Sequence, residues 1–70
     1  MIKPGVYRHY KGKAYLVVGL AHHSETREPL VVYRCLYDDY SLWVRPELMF
    51  RETAIIDGKE IPRFAFLHEA

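Results

Sequence analysis

The chain holds one cysteine, Cys35, in 70 residues. That excludes an intramolecular disulfide and any paired-cysteine zinc spacing. Charge of one sign is lacking as well: ten Lys and Arg stand against nine Asp and Glu, for a net charge of +1. Non-specific nucleic-acid affinity rests on clustered Lys and Arg that release counterions. Here acids interrupt every cluster, so the chain is no polyelectrolyte binder, although a local basic face is still open to it. Long apolar runs are missing too. The longest, AYLVVGLA at 14–21, is far short of the roughly 20 residues that cross a bilayer. The opening MIKPGVYRHY has no apolar stretch of the signal-peptide kind. With a lone thiol, the expected setting is the reducing cytoplasm, with no membrane partner. Internal repeats and low-complexity tracts are absent. A chain this short has room for one domain, 1–70, which buries only about 60% of the surface its unfolded form exposes.

What the chain does have is aromatic mass: one Trp, six Tyr and three Phe. Each can bury roughly 150–250 Å², which compensates for a small core. The remainder falls into short runs rich in β-branched and aromatic residues, with no sustained helical period. Pro4-Gly5 opens a first strand at Val6 to Tyr10, and Lys11-Gly12-Lys13 makes a tight turn into a second from about Ala14 to His22. After the polar loop HSETREP, a third strand runs from about Leu30 to Tyr37. Asp38-Asp39-Tyr40 turns into a fourth, Ser41 to Arg45, which Pro46 ends for want of an N–H. Pro46 to Met49 reads as one helical turn. Asp57-Gly58 between β-forming residues is the strongest hairpin signal; a two-residue loop would set Ile56 opposite Lys59 and Ala54 opposite Ile61. Pro62 is expected to break that pairing, leaving Arg63 to Leu67 as a last strand that closes the sheet elsewhere. The fold class is therefore all-β: a small SH3-like β-barrel of five or six bent strands with one short helical turn.

Several residues exceed what such a core requires. In LWVRP, at 42–46, strand alternation puts Trp43 and Arg45 on one face and Leu42 and Val44 on the other. With Leu42 and Val44 inside, Trp43 and Arg45 form an open recognition platform, since Trp and Arg are enriched among binding anchors. With Trp43 inside, it fills the barrel, and Arg45 emerges at the rim beside Glu47 or Glu52. Arg8, Arg34, Arg45 and Arg63 all lie in or beside apolar strands with Tyr7, Tyr10, Tyr33, Trp43 or Phe64 close in sequence. Arginine's planar fork suits carboxylate or phosphate and stacks on rings, so these residues suggest a face for an anion or a nucleic acid. Alternatively they pair with the chain's own glutamates and cover its tyrosines. His9, His23 and Glu25 are the one cluster with metal-ligand or acid–base chemistry, and they converge only if the first strands bring them together. Neither a three-ligand metal spacing nor an activated-nucleophile motif is present, so no catalytic residue and no cofactor is assigned. Cys35 alternates with Tyr33 and Tyr37 and reads as a buried thiol.

The strings PGVYRHYKG (4–12), AHHSETREPLVVYRCLY (21–37), LWVRPELMF (42–50) and PRF (62–64) together resemble the bacterial domain of unknown function 1653 family, from about Lys3 to Leu67. The resemblance implies an SH3-like barrel in a small stand-alone cytoplasmic protein, and it implies no activity. It places the family's signature on Tyr7, Arg8, His9, Tyr10, His23, Glu25, Thr26, Tyr33, Arg34, Trp43, Arg45, Pro46, Phe50, Arg63 and Phe64, many of them polar or aromatic. The expected function is a non-enzymatic binding module for an anionic ligand, with Arg8, Arg34, Arg45, Arg63, Tyr7, Tyr33, Trp43, His23 and Glu25 as candidate ligand residues. Two alternatives are a protein-interaction module using a sheet edge or aromatic patch and, with least support, a hydrolase built on His9, His23 and Glu25.

Overall fold

The computed structural model describes residues 2–70. These residues are all-β, as the alternation predicts, with seven strands and one turn of helix. In order these are β1 (Gly5–His9), β2 (Ala14–His22), β3 (Pro29–Cys35), β4 (Leu42–Pro46), α1 (Glu47–Phe50), β5 (Thr53–Ile56), β6 (Lys59–Pro62) and β7 (Phe64–His68). Five strands form one antiparallel sheet in the order β4-β3-β2-β1-β7, while β5 and β6 form a separate hairpin. The main sheet alone has five strands, and counting both arms of the expected Asp57-Gly58 hairpin brings the total to seven. Among the described residues no ladder joins the β4 and β7 edges.

Alternation decides which residues face inward. Tyr7 pairs with Tyr15 and Phe66, Val17 with Tyr33, and Cys35 with Tyr15, so these side chains share one concave face. Between Val17 and Gly19 the β2–β3 register shifts. The bulge leaves Val18 exposed and returns Leu20 to the inner face opposite Val31. Without that one extra residue, Leu20 would fall opposite Leu30 and the second half of β2 would be turned inside out.

α1 is too short to hold itself together and serves to deliver Phe50. That ring is 2% exposed and stacks on Phe64 at 4.2 Å between centroids, with Tyr7 edge-on at 5.4 Å. Tyr7, Val17, Val31, Tyr33, Phe50 and Phe64 make the core. Gly5 sits where β1 passes β7 most closely. Its φ is +144°, and a Cβ there would lie 2.7 Å from a Phe66 ring carbon and 2.8 Å from the His68 carbonyl, so only glycine fits.

The hairpin forms at Asp57-Gly58 with the expected partners, Ile56 opposite Lys59 and Ala54 opposite Ile61. Both turn residues have positive φ, 52° and 77°, the conformation that suits strand twist in a two-residue loop. Pro62 does not break this pairing; it lies opposite Thr53 as the last residue of β6. Pairs in an antiparallel ladder alternate between hydrogen-bonded and not. Counting from Ile56 and Lys59, the Thr53–Pro62 pair falls on a position that needs no proline N–H.

Candidate functional site

Phe50 packs on Phe64 and Tyr7 and reaches Tyr33, 6.1 Å away between ring centroids. Across β3 and β4 the face stays open, as a cleft of about 510 Å³. β3 supplies Tyr33 and Cys35 to it, β2 supplies Tyr15, and β4 supplies Trp43 and Arg45. The β3–β4 turn contributes Tyr37, Asp38 and Asp39 at one end. The floor is aromatic and interlocked. Tyr15 meets Tyr33 edge-on at 5.4 Å and Tyr37 at 5.5 Å, and the Tyr15 and Tyr37 hydroxyls share a hydrogen bond of 2.8 Å. That bond, with burial second, pushes the Tyr37 phenol well above the usual tyrosine range, so it stays a neutral hydroxyl.

Trp43 forms one wall and is 55% exposed. Its indole N–H donates to the Ser41 hydroxyl, which fixes the ring while leaving its face bare. It does not fill a barrel interior, and Leu42 and Val44 do not lie in the core either: they are 53% and 56% exposed on the opposite face. Both sequence readings assumed that one side of this strand is buried. β4 is an edge strand, with both its faces open through Leu42 to Val44.

Arg45 closes the cleft at the end away from the aspartates. Its guanidinium carbon lies 5.5 Å from the Phe64 ring centroid, close enough for the cation to rest on the ring. Neither Glu47 nor Glu52 pairs with it. Glu47 holds Arg51 at 3.5 Å and Glu52 holds Arg63 at 3.4 Å, and among the described residues Arg45 has no carboxylate partner. His9 packs edge-on against the same Phe64 at 5.0 Å. Burial first, then the positive charges of Arg63, Arg45 and Lys11, hold its imidazole below the usual histidine range.

The four arginines therefore divide into two pairs. Arg45 and Arg63 both act on His9 at the inner side, whereas Arg8 and Arg34 are exposed on the outer face, between Tyr7 and His9 and between Tyr33 and Cys35. Period-two alternation already carried that signal, since a residue next to an inward tyrosine points out. Arg8 borders a shallow recess with Ile61, Pro62 and Leu67. Arg34 donates to the Tyr40 carbonyl at 2.7 Å, clamping a turn in which Asp38 and Tyr40 both have positive φ. Tyr7 is a core residue, 5% exposed, whose hydroxyl donates to the Lys3 carbonyl.

His23 and Glu25 lie far from the cleft. His9 ends β1 beside the start of β2, and His23 follows the end of β2 nine residues on, so β2 keeps them apart. The His23 Nδ1 accepts from the backbone N–H groups of Glu25 and Thr26, the work of a loop-forming side chain. Convergence of His9, His23 and Glu25, on which the hydrolase alternative depended, does not occur. Among the described residues no three His, Cys, Asp or Glu lie close enough to hold a metal ion. Tyr15, Tyr37, Asp38 and Asp39 are cleft residues that the sequence reading did not assign. The Tyr33-Cys35-Tyr37 alternation was the available sign that one face of β3 is lined with rings.

Fold and cleft together define a small all-β chain carrying one open, aromatic-walled recess with a cation at one end. A family model described as "Protein of unknown function (DUF1653)" matches residues 5–66, and the chain belongs to that family. The crystal structure of a DUF1653 protein from Bordetella bronchiseptica is similar at 41% identity and a TM-score of 0.88, covering 99% of this chain and 91% of that one. No curated protein matches the chain. Among the described residues no helix is long and apolar enough to cross a membrane.

Proposed function

We propose that this protein is a non-enzymatic binding module whose cleft takes a carboxylate or phosphate attached to a flat, apolar group. The observation that carries the reading is Arg45: a guanidinium without a carboxylate partner among the described residues, resting on Phe64 and bordering the same cleft as the bare face of Trp43. Its fork would receive the anion, and Trp43 with Tyr33 would receive the ring. Arg63 reinforces the positive end from behind Glu52. This narrows the broader arginine face to Arg45, Trp43, Tyr33 and Tyr15, and leaves Arg8, Arg34, His23 and Glu25 to other work. The acidic end at Asp38 and Asp39 argues against a long polyanion such as nucleic acid, because successive phosphates would run toward like charge. The curl of the sheet around Phe50, with a helical turn ahead of the last strands, supports an SH3-like comparison. Clefts between strands and loops are common binding places in such small barrels.

The test uses simple probes on the labelled protein: benzoate, phenyl phosphate and phenyltrimethylammonium, followed by amide and indole NMR shifts. Benzoate or phenyl phosphate should move the Trp43 indole N–H and the amides of 33, 43 and 45, and Arg45→Ala should abolish the effect while leaving the remaining spectrum in place. A response to the ammonium probe alone, centred on Tyr37 and Asp38, would overturn the reading.

A further inference from the structure

We propose that β4 pairs antiparallel with β4 of a second copy about Trp43, joining two five-stranded sheets into one. The Cys35 N–H donates to the Ser41 carbonyl at 3.0 Å, and the β3–β4 register continues through Tyr33 opposite Trp43 and Val31 opposite Arg45. Hydrogen-bonded pairs alternate along such a ladder, so Ser41, Trp43 and Arg45 direct their backbone groups at β3. Leu42, Val44 and Pro46 direct theirs at the open edge, where Pro46 has no N–H to offer. Two complete residues, i and i+2, are thus left bare.

That pattern is self-complementary. An antiparallel pairing about Trp43 sets Leu42 of one copy against Val44 of the other, twice, with each pair exchanging both its backbone bonds. Leu42 and Val44 then cover each other on the outer face. The two tryptophans meet at the close, non-hydrogen-bonded position on the cleft side, the arrangement in which cross-strand aromatic pairs interact best. One association covers three neighbouring side chains that are each more than half exposed in the single chain.

Charge selects the direction and the partner. The strand is preceded by the Asp38-Asp39 turn and ends at Arg45. Antiparallel self-pairing lays the basic end of each copy beside the acidic turn of the other, whereas parallel pairing would set like ends together. A net charge of +1 opposes self-association very little. The devices that ordinarily keep an edge single, a lysine, an interior proline or a bulge, are absent from Leu42 to Val44.

Sedimentation velocity of the full chain from micromolar to millimolar concentration should show a reversible monomer–dimer equilibrium. Val44→Pro removes only an outward N–H, so β3–β4 pairing should survive, with an unchanged circular dichroism spectrum and a dimer dissociation constant raised at least about tenfold. Leu42→Lys tests the same edge without touching the backbone and should act alike. Trp43→Cys should give a covalent dimer on mild oxidation and Leu42→Cys should not, because only residue 43 meets itself across the two-fold. A monomer at every concentration, a dimer indifferent to Val44→Pro and Leu42→Lys, or a monomer that captures an extended peptide along β4 would each overturn the proposal. The inference does not depend on the cleft reading: a monomer that still binds benzoate at Arg45 would end it and leave that reading standing.

Discussion

The two halves of the concave face are built from the same material and end in different states. On the β1–β7 side, Tyr7, Phe64 and Phe66 receive Phe50 from α1, and the rings close into a core. Toward the β3–β4 edge Phe50 reaches only as far as Tyr33, and Tyr15, Tyr37 and Trp43 beyond it line an open wall. One four-residue helix accounts for the difference, because it carries a single buried plug whose ring contacts run from Phe64 and Tyr7 to Tyr33. A sheet this small can bury about half of its aromatic face with its own chain, and the other half is then available for recognition.

That contrast is broken most sharply by removing one aromatic from each half. Phe50→Ala should cost about 3–5 kcal/mol, the usual range for a buried phenylalanine, and in so small a core that is enough to unfold much of the population. Trp43→Ala should cost about 0.5 kcal/mol, as for an exposed position, while abolishing the response to benzoate. Urea unfolding of both variants beside the parent measures the difference. Equal losses of stability would mean that the cleft wall is core after all.

The legibility of the sequence follows the same division. Most of what local pattern sets was readable: β2 runs from Ala14 to His22 as expected, Asp57-Gly58 turns the hairpin with the expected partners, and Cys35 is buried among inward tyrosines, although Pro62 ends β6 as a paired residue instead of breaking the ladder. What depends on which strand lies at an edge was not. Alternation in LWVRP correctly separated Trp43 and Arg45 from Leu42 and Val44, but it could not say that neither face would be covered, since edge position is a property of the whole sheet. The arginines illustrate the same limit. Arg8 and Arg34 follow Tyr7 and Tyr33 in sequence, so alternation puts them on the face opposite the tyrosines with which they were grouped, yet which glutamate each arginine would meet depended on where α1 and β5 fell.

A middle-sized effect is expected at the turn that forms the acidic end of the cleft. Arg34 holds the Tyr40 carbonyl from the outer face, across a turn with two non-glycine residues in left-handed conformation. Arg34→Ala should therefore destabilise by about 1 kcal/mol, the scale of an exposed hydrogen bond from a charged donor, with hydrogen exchange rising first at 38–41. The fold and the Phe50 half should stay as they are. Uniform loss of protection across β1 and β7 would show that Arg34 supports the sheet rather than the turn.

The smallest effect sharpens the comparison most, because it reports from the boundary between the two halves. His9 touches Phe64 and lies in the field of Arg63 and Arg45. Its pKa lies below the ordinary 6.5, so in the unfolded chain it takes up a proton at a higher pH than in the folded one. Stability should thus be level with respect to His9 above pH 6.5 and fall as the pH drops through 6.5 toward the lower folded value. His9→Asn, which keeps an acceptor for the Lys11 N–H, should flatten that slope. Linkage then ties the titration to the cleft. An anion held by Arg45 cancels part of the positive field at His9, so saturating benzoate should raise the His9 pKa in an NMR titration of its ring proton. The same addition to Arg45→Ala should leave the pKa where the substitution put it. A His9 pKa unmoved by benzoate in the parent protein would place the anion elsewhere, however clearly Trp43 responded.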